Sequence, residues 1–273
     1  MAAKTVALAG ANGYVGKAFV NAFLAQGLDT RILTRTESIN SAPLQEFKSK
    51  GASLHAISYD DESGVSKALQ GVDVLVSTVA GAAFLSAQVP LIKAAKAAGV
   101  KLFFPSEYGS VFEDTSNPSS VIQAKKTVVK TAQDVGLPFA VLSNGGFPEY
   151  CFIPPLGYNF AEKKVTVWGD GNASWLANVL KTVPTSQLEN KYLRIQGNVA
   201  SANEVIKLWE TKHNDKLNVE KRPLKELDDR VGASGEDLLA VLLQEWSSGR
   251  GEIGGKDNGL YAGWKPDSIE SIL

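Results

Sequence analysis

Through the first 145 residues, short apolar runs alternate with segments of helical periodicity. The runs at Thr5–Ala9, Thr30–Thr34, Ser53–Ile57, Val72–Thr78, Lys101–Phe104 and Phe139–Ser143 predict strands, and Val72–Thr78 is nearly continuous, as a strand covered on both faces must be. Between them, Tyr14–Ala25, Pro43–Lys50, Ser63–Gln70, Ala87–Ala98 and Ser119–Val135 predict helices. Each helix runs into a glycine, at Gly27, Gly51, Gly71, Gly99 and Gly136, where a helix commonly ends in a left-handed residue. Strand and helix in strict alternation imply a doubly wound α/β fold, a parallel sheet with helices on both faces.

After Asn144 the pattern is replaced by Gly, Pro and aromatic residues, from Gly145-Gly146-Phe147-Pro148 through Pro154-Pro155 to Trp168-Gly-Asp-Gly171. This texture predicts a loop-rich region that faces a substrate. Beyond it, Ser201–His213 and Ser234–Trp246 are amphipathic helices around a short strand at Leu217–Lys221, and Leu193–Gly197 reads as a strand. The expected organisation is a sheet domain over 1–150, rejoined by the strand near 192–197, and a smaller α/β lobe over 151–273.

Composition narrows the chemistry. The 28 basic residues against 29 acidic ones leave a net charge of −1 in 273 residues, and neither side of Tyr150 is strongly charged, so nucleic acid and anionic membrane are not expected partners. Cys151 stands alone and only His55 and His213 accompany it, too few to build a structural zinc site, and no metal is expected. The opening residues lack an apolar stretch of signal-peptide length, and no window has the ~20 apolar residues of a membrane span, so a cytoplasmic location is expected.

The turn Gly10-Ala-Asn12-Gly13-Tyr14-Val15-Gly16 follows the first strand directly and opens the first helix. Glycines at that place permit a tight turn, close approach of backbone to a pyrophosphate, and packing of helix on strand, while the helix N-terminus offers amide donors. Lys17 follows, but the glycine spacing and Ala18 exclude an ATP- or GTP-type phosphate loop. Just past the second strand stands Arg35, where an acidic residue would favour NAD and an arginine can accept the 2′-phosphate, so NADP(H) is the expected cofactor.

These residues, together with Val100-Lys-Leu-Phe-Phe-Pro-Ser-Glu-Tyr-Gly109, the Lys125 helix ending in Val135-Gly-Leu-Pro138, and Trp168-Gly-Asp-Gly-Asn172, resemble atypical short-chain dehydrogenase/reductases of the NmrA-like and isoflavone reductase-like set. That set includes phenylcoumaran benzylic ether, pinoresinol and isoflavone reductases. The resemblance implies a Rossmann-type NADP-binding domain, a smaller C-terminal substrate lobe and a cleft between them. It also implies a role for Lys125, eleven residues before Gly136, beside the bound cofactor and as proton donor or relay while hydride leaves the nicotinamide. Ser106, Glu107 and Tyr108 follow the fifth strand and Thr78, Val79 and Ala80 follow the fourth, at the sheet edge where such folds bind ligands, and all six are expected near the cofactor.

Tyr108, Phe147, Tyr150 and Phe152 are candidates for an aromatic-substrate wall. The Tyr-x-x-x-Lys pattern of classical short-chain dehydrogenases occurs only at Tyr261–Lys265, far from the expected helix, which favours reduction of an activated substrate over simple alcohol oxidation. Relatives carry a longer stretch between the positions of Gly171 and Leu193, whereas here Asn172-Ala-Ser-Trp175 runs almost straight into Leu176–Thr182. Two functions are therefore in play: an NADPH-dependent reductase of a small aromatic molecule, or a regulator that senses NADP(H) and binds a protein partner.

Overall fold

The computed structural model describes residues 1–111, 119–146, 154–156, 158–165, 179–232, 235–247, 252–261, 263–266 and 268–273. The chain forms two compact units, neither continuous in sequence: Met1–Glu107, Ala124–Val141 and Ala173–Leu193 in the first; Tyr108–Gln123, Leu142–Asn172 and Arg194–Leu273 in the second.

The first unit holds a parallel five-stranded sheet in the order β3-β2-β1-β4-β5, from β1 (Thr5–Ala9), β2 (Asp29–Arg35), β3 (Ser53–Ile57), β4 (Val74–Ser77) and β5 (Leu102–Phe104). A parallel bridge from Phe103 to Phe139 brings the next segment beside β5, and β6 (Ala140–Ser143) pairs with β9 (Lys191–Arg194). The connecting helices are α1 (Tyr14–Ala25), α2 (Ala42–Ser49), α3 (Glu62–Ala68), α4 (Phe84–Ala98) and α5 (Ser120–Asp134). The strand order reverses between β1 and β4, which puts the crevice for a ligand at the carboxyl ends of those two strands.

The physical reason is the burial of both sheet faces. On β1, Ala7 and Ala9 join a cluster with Val65 of α3 and Leu69 at its C-cap, Leu91 and Ala95 of α4, and Val128 and Ala132 of α5. The alternate residues Val6 and Leu8 are equally buried, as the two-residue period of a strand requires. On α1 the buried face is Gly16, Phe19, Val20 and Phe23, with the two phenylalanine rings 5.8 Å apart. Each fully buried large side chain of this kind contributes about 1.5–3 kcal/mol. All five helix-ending glycines have positive φ, for example 77° at Gly99.

In the sheet domain over 1–150, the starts of two elements lie two residues or more from the sequence pattern. Strand β4 begins at Val74 instead of Val72, because Val72 closes the α3 turn onto Leu69 and the Asp73 carboxylate accepts the amides of Lys4 (2.8 Å) and Thr5 (3.1 Å). Helix α4 begins at Phe84, not Ala87, and runs through Pro90; the carbonyl that loses its partner belongs to Ser86, which is exposed and can be solvated.

In the second unit, β7 (Tyr158–Asn159) and β8 (Lys164–Val165) pair antiparallel, and β10 (Asn218–Val219) adds parallel to β8. Helix α6 (Ala202–His213) opens with a capping box between Ser201 and Glu204 and packs Val205 and Trp209 into a cluster with Tyr158, Leu217 and Ile269. His213 stacks on Trp209 at 4.4 Å, a structural role. Helices α7 (Lys225–Val231) and α8 (Leu238–Ser247) form a second cluster through Leu227, Ala240 and Leu243, and a short α9 (Ile269–Ile272) ends the chain. Among the described residues, no helix is long and apolar enough to cross a membrane, and no group of three His, Cys, Asp or Glu residues could hold a metal ion.

Candidate functional site

The turn after β1 is built around close backbone contact. Gly10 has φ 96°, and a Cβ there would lie 2.6 Å from Thr78 Oγ1 and 2.8 Å from the Thr78 carbonyl carbon. Thr78 is itself fixed to the end of β1, its amide and hydroxyl donating to the Ala9 carbonyl at 2.8 and 3.0 Å. A Cβ on Gly16 would collide with the Gly10 carbonyl oxygen, and one on Gly13 would sit 3.3 Å from that same atom. The three glycines thus fold one turn over the β1/β4 crossover, where a Cβ at Gly10 or Gly16 would push the backbone apart and one at Gly13 would need a shift of a few tenths of an ångström.

Helix α1 starts from this turn with Gly13 at its N-cap in extended conformation and no side-chain cap. Its ladder begins with Lys17 N donating to Gly13 O at 2.9 Å, so the amides of Val15 and Gly16 lie ahead of the intrahelical bonds. The first turn carries no acidic side chain to neutralise the positive end of the helix dipole. Donors, field and open backbone suit a phosphate anion. Asn12 is held at the rim, its Oδ1 accepting from the Ser41 hydroxyl at 3.2 Å, and Tyr14 is exposed.

At the end of β2, Arg35 projects into solvent. Its Nε is 3.2 Å from Glu37 Oε1, with the two side chains 62% and 66% exposed. An ion pair that exposed is worth about 0–1 kcal/mol, so the guanidinium can turn to a dianionic phosphate at little cost. The β2/β3 register pairs Arg35 with Ile57, and half-buried Tyr59 follows two residues later. Burial raises the Tyr59 hydroxyl above the usual tyrosine range, while the nearby Arg35 charge opposes that rise.

The remaining candidates lie after β4 and β5. Val79 is buried and its amide donates to Ser77 Oγ at 3.4 Å, whereas Ala80 is exposed. Ser106 is held through its backbone, its amide donating to Gln88 Oε1 at 2.9 Å. Glu107 turns inward: its Oε2 lies 3.0 Å from Lys125 Nζ, and Lys125 Nζ also donates to the Glu107 carbonyl at 3.2 Å. The side chains of Lys125 and Glu107 are 15% and 7% exposed, whereas Lys130 on the same helix is 71% exposed and pairs with Asp134. Lys125 is therefore the sheltered lysine of the two, set apart from the solvated Lys130.

Tyr108 is half-buried and begins the part of the chain assigned to the second unit. Phe147, Tyr150 and Phe152, with Cys151 and the Trp168–Asn172 segment, lie outside the described residues. Two further residues escaped the sequence reading. Gln88 is fully buried on α4, with Nε2 donating to the Phe84 carbonyl at 3.2 Å, and its signal was a polar side chain on an otherwise apolar helix face. Asn144 is buried at the end of β6, where its amide and that of Gly145 both donate to the Gly109 carbonyl at 3.1 Å; no sequence signal distinguished it.

With this geometry in view, comparison with known proteins gives a consistent family assignment. The NmrA-like family model matches residues 2–241. A phenylcoumaran benzylic ether reductase of Ginkgo biloba is 34% identical over 235 residues, which is 78% of this chain and 76% of that protein. A bifunctional pinoresinol-lariciresinol reductase of Thuja plicata is 30% identical over 267 residues, 86% of this chain and 80% of that protein. Among solved structures, one from a study of pinoresinol-lariciresinol and phenylcoumaran benzylic ether reductases has a TM-score of 0.80 at 25% identity, covering 99% of this chain and 98% of the other. A structure of AtPrR2 with NADP+ and (+)pinoresinol has the same fold, with a TM-score of 0.82 at 24% identity and coverage of 99% and 97%.

Proposed function

The chain belongs to the NmrA-like family, and from that premise we propose that it is an NADPH-dependent reductase of small aromatic molecules carrying a benzylic ether or a conjugated carbonyl. The residues present fit a dinucleotide. Gly10 and Gly16 admit no Cβ without collision with Thr78 and with the Gly10 carbonyl, so the tight turn requires glycine; no side chain caps the α1 amides, and Arg35 stands exposed where β2 ends. In this reading Gly10, Asn12, Gly13, Tyr14, Val15 and Gly16 surround the pyrophosphate, and Arg35 binds the 2′-phosphate. Thr78, Val79, Ala80 and Ser106 line the sheet edge beside the nicotinamide end. When bound, the cofactor supplies hydride.

Lys125 holds a proton for the substrate oxygen on which negative charge gathers as hydride arrives. The observation that carries this role is the sheltered Lys125 ammonium, fixed at the carboxyl end of β5 on the same sheet edge as the glycine turn. Tyr108, Phe147, Tyr150 and Phe152 are proposed to contact the aromatic substrate.

The test is to incubate the protein with NADPH and a panel of a phenylcoumaran, pinoresinol and an isoflavone, following NADPH absorbance and separating products by chromatography. A reduced product from at least one member, lost in Lys125→Met, is expected. Tight NADPH binding without any product would overturn the reductase reading in favour of a dinucleotide-sensing regulator.

A further inference from the structure

A buried carboxylate must be matched by a cation or by hydrogen bonds, and Lys125 supplies Glu107 with such a cation. Lys125 Nζ is within 3.0 Å of its Oε2 and 3.2 Å of its main-chain carbonyl oxygen. Two acceptors from one residue, one on the side chain and one on the backbone, fix the ammonium in two directions. A lysine side chain is otherwise a flexible stem with many rotamers.

The backbone acceptor holds Nζ only if the loop itself is fixed, and it is. The Glu107 amide donates to the Pro105 carbonyl at 2.8 Å, and the Ser106 amide donates to Gln88 Oε1 at 2.9 Å. Gln88 is fully buried on α4 and is tied to the Phe84 carbonyl. A continuous set of contacts therefore runs from the body of α4 through the loop after β5 to Lys125 on α5, all within the first unit.

We propose that Glu107 is the positioning residue for Lys125, with Gln88 as the anchor that keeps the Glu107 loop in place. The proposal rests on the reading of Lys125 as the proton-holding group. Glu107 acts through Lys125 and does not itself need to touch substrate or cofactor. A counter-ion with a purely structural role would affect folding stability; a positioning residue affects how Lys125 is held and how fast bound substrate reacts.

The experiment compares wild type, Glu107→Gln, Glu107→Asp, Gln88→Leu and Lys125→Met. In the cofactor-free protein, reductive methylation followed by peptide mass spectrometry measures the reactivity of Lys125 against Lys130 as internal reference. In steady state with NADPH and the panel member that wild type reduces, kcat and KM are separated, and NADPH affinity is read by fluorescence. Glu107→Gln is expected to raise Lys125 labelling and to lower kcat by about tenfold to hundredfold, the cost of a misplaced reacting group, with KM and NADPH affinity at wild-type values. Glu107→Asp should recover part of kcat. If Glu107→Gln does not fold, Gln88→Leu supplies the same pair of readouts in smaller measure.

Wild-type labelling or wild-type kcat in a folded Glu107→Gln, alongside an inactive Lys125→Met, overturns the positioning proposal alone. An active Lys125→Met overturns the reading of Lys125 and the proposal with it, as does a wild type that reduces no member of the panel.

Discussion

Replacing Gly16 by alanine tests the phosphate turn because two effects of known size oppose each other there. Inside a helix, alanine is favoured over glycine by about 1 kcal/mol, so a substitution in α1 that met open space would stabilise the protein. At Gly16 the added Cβ would collide with the Gly10 carbonyl oxygen and lie 2.9 Å from both Gly10 C and Ala11 Cα. These are backbone atoms of a tight turn, which cannot rotate aside as a side-chain tip could. Overpacking of this kind costs about 1–3 kcal/mol, and the rigidity of the turn places the cost near the upper end. The net expectation is a loss of about 2 kcal/mol, or roughly 4–8 °C in thermal midpoint for a chain of this size.

The same displacement moves the amides that would face a pyrophosphate. Losing one charge-assisted hydrogen bond of about 1.5–3 kcal/mol weakens NADPH binding by roughly tenfold to hundredfold. Gly27→Ala is the control, since Gly27 has φ 67° and a Cβ added there would meet no atom within 4 Å. It should cost about 1–2 kcal/mol from the left-handed conformation alone and leave NADPH affinity unchanged. Differential scanning fluorimetry and NADPH fluorescence titration give both quantities. A Gly16→Ala protein more stable than wild type, with undiminished affinity, would refute the close-contact reading of the turn.

Other expectations follow from the same structure. Lys125→Met should reduce turnover by about 10²–10⁴-fold, the usual contribution of a positioned acid or base, while NADPH titration remains near wild type. Arg35→Ala should weaken NADPH by roughly tenfold to hundredfold through loss of a charge-assisted phosphate contact and leave NADH affinity unchanged, as parallel titrations would reveal. For Asp73, burial raises the carboxyl pKa, but hydrogen bonds from Lys101 and from the Lys4 and Thr5 amides outweigh it, and the net value is below the usual carboxylate range. A depressed folded-state value gives stability that is present above the unfolded carboxylate pKa and lost as pH falls through the folded one. Asp73→Asn should therefore cost about 1–3 kcal/mol at neutral pH, and denaturant melts should show the difference from wild type closing in acid.

The strands of the sheet were legible because burial on both faces leaves an almost uninterrupted apolar run, as in β1 and β4. The helix ends were legible because one residue type tolerates the left-handed turn that closes them. The second unit was harder to read. Strands β7, β8 and β10 are two residues each, too short for any periodicity, and β10 forms only by pairing with β8, which is distant from it in sequence. Helix α7 is a charged heptad, Lys225–Val231, with Leu227 as its buried residue, so its signal is weak in isolation.

At the site, the glycine turn is local and its spacing discloses it. The ion pair between Glu107 and Lys125 joins residues eighteen apart through the meeting of the β5 loop with α5, which no linear pattern encodes. Motif position pointed to Glu107 as a cofactor neighbour; the structure adds a specific partner for its carboxylate.

The most direct measurement uses NADPH labelled with deuterium at the nicotinamide C4. The protein is mixed with this cofactor and the panel of phenylcoumaran, pinoresinol and isoflavone, and products are analysed by mass spectrometry and NMR. Deuterium carried into a reduced aromatic product by wild type, and absent with Lys125→Met, is the predicted result. Labelled NADPH bound tightly yet recovered intact, with every aromatic compound unchanged, would contradict it.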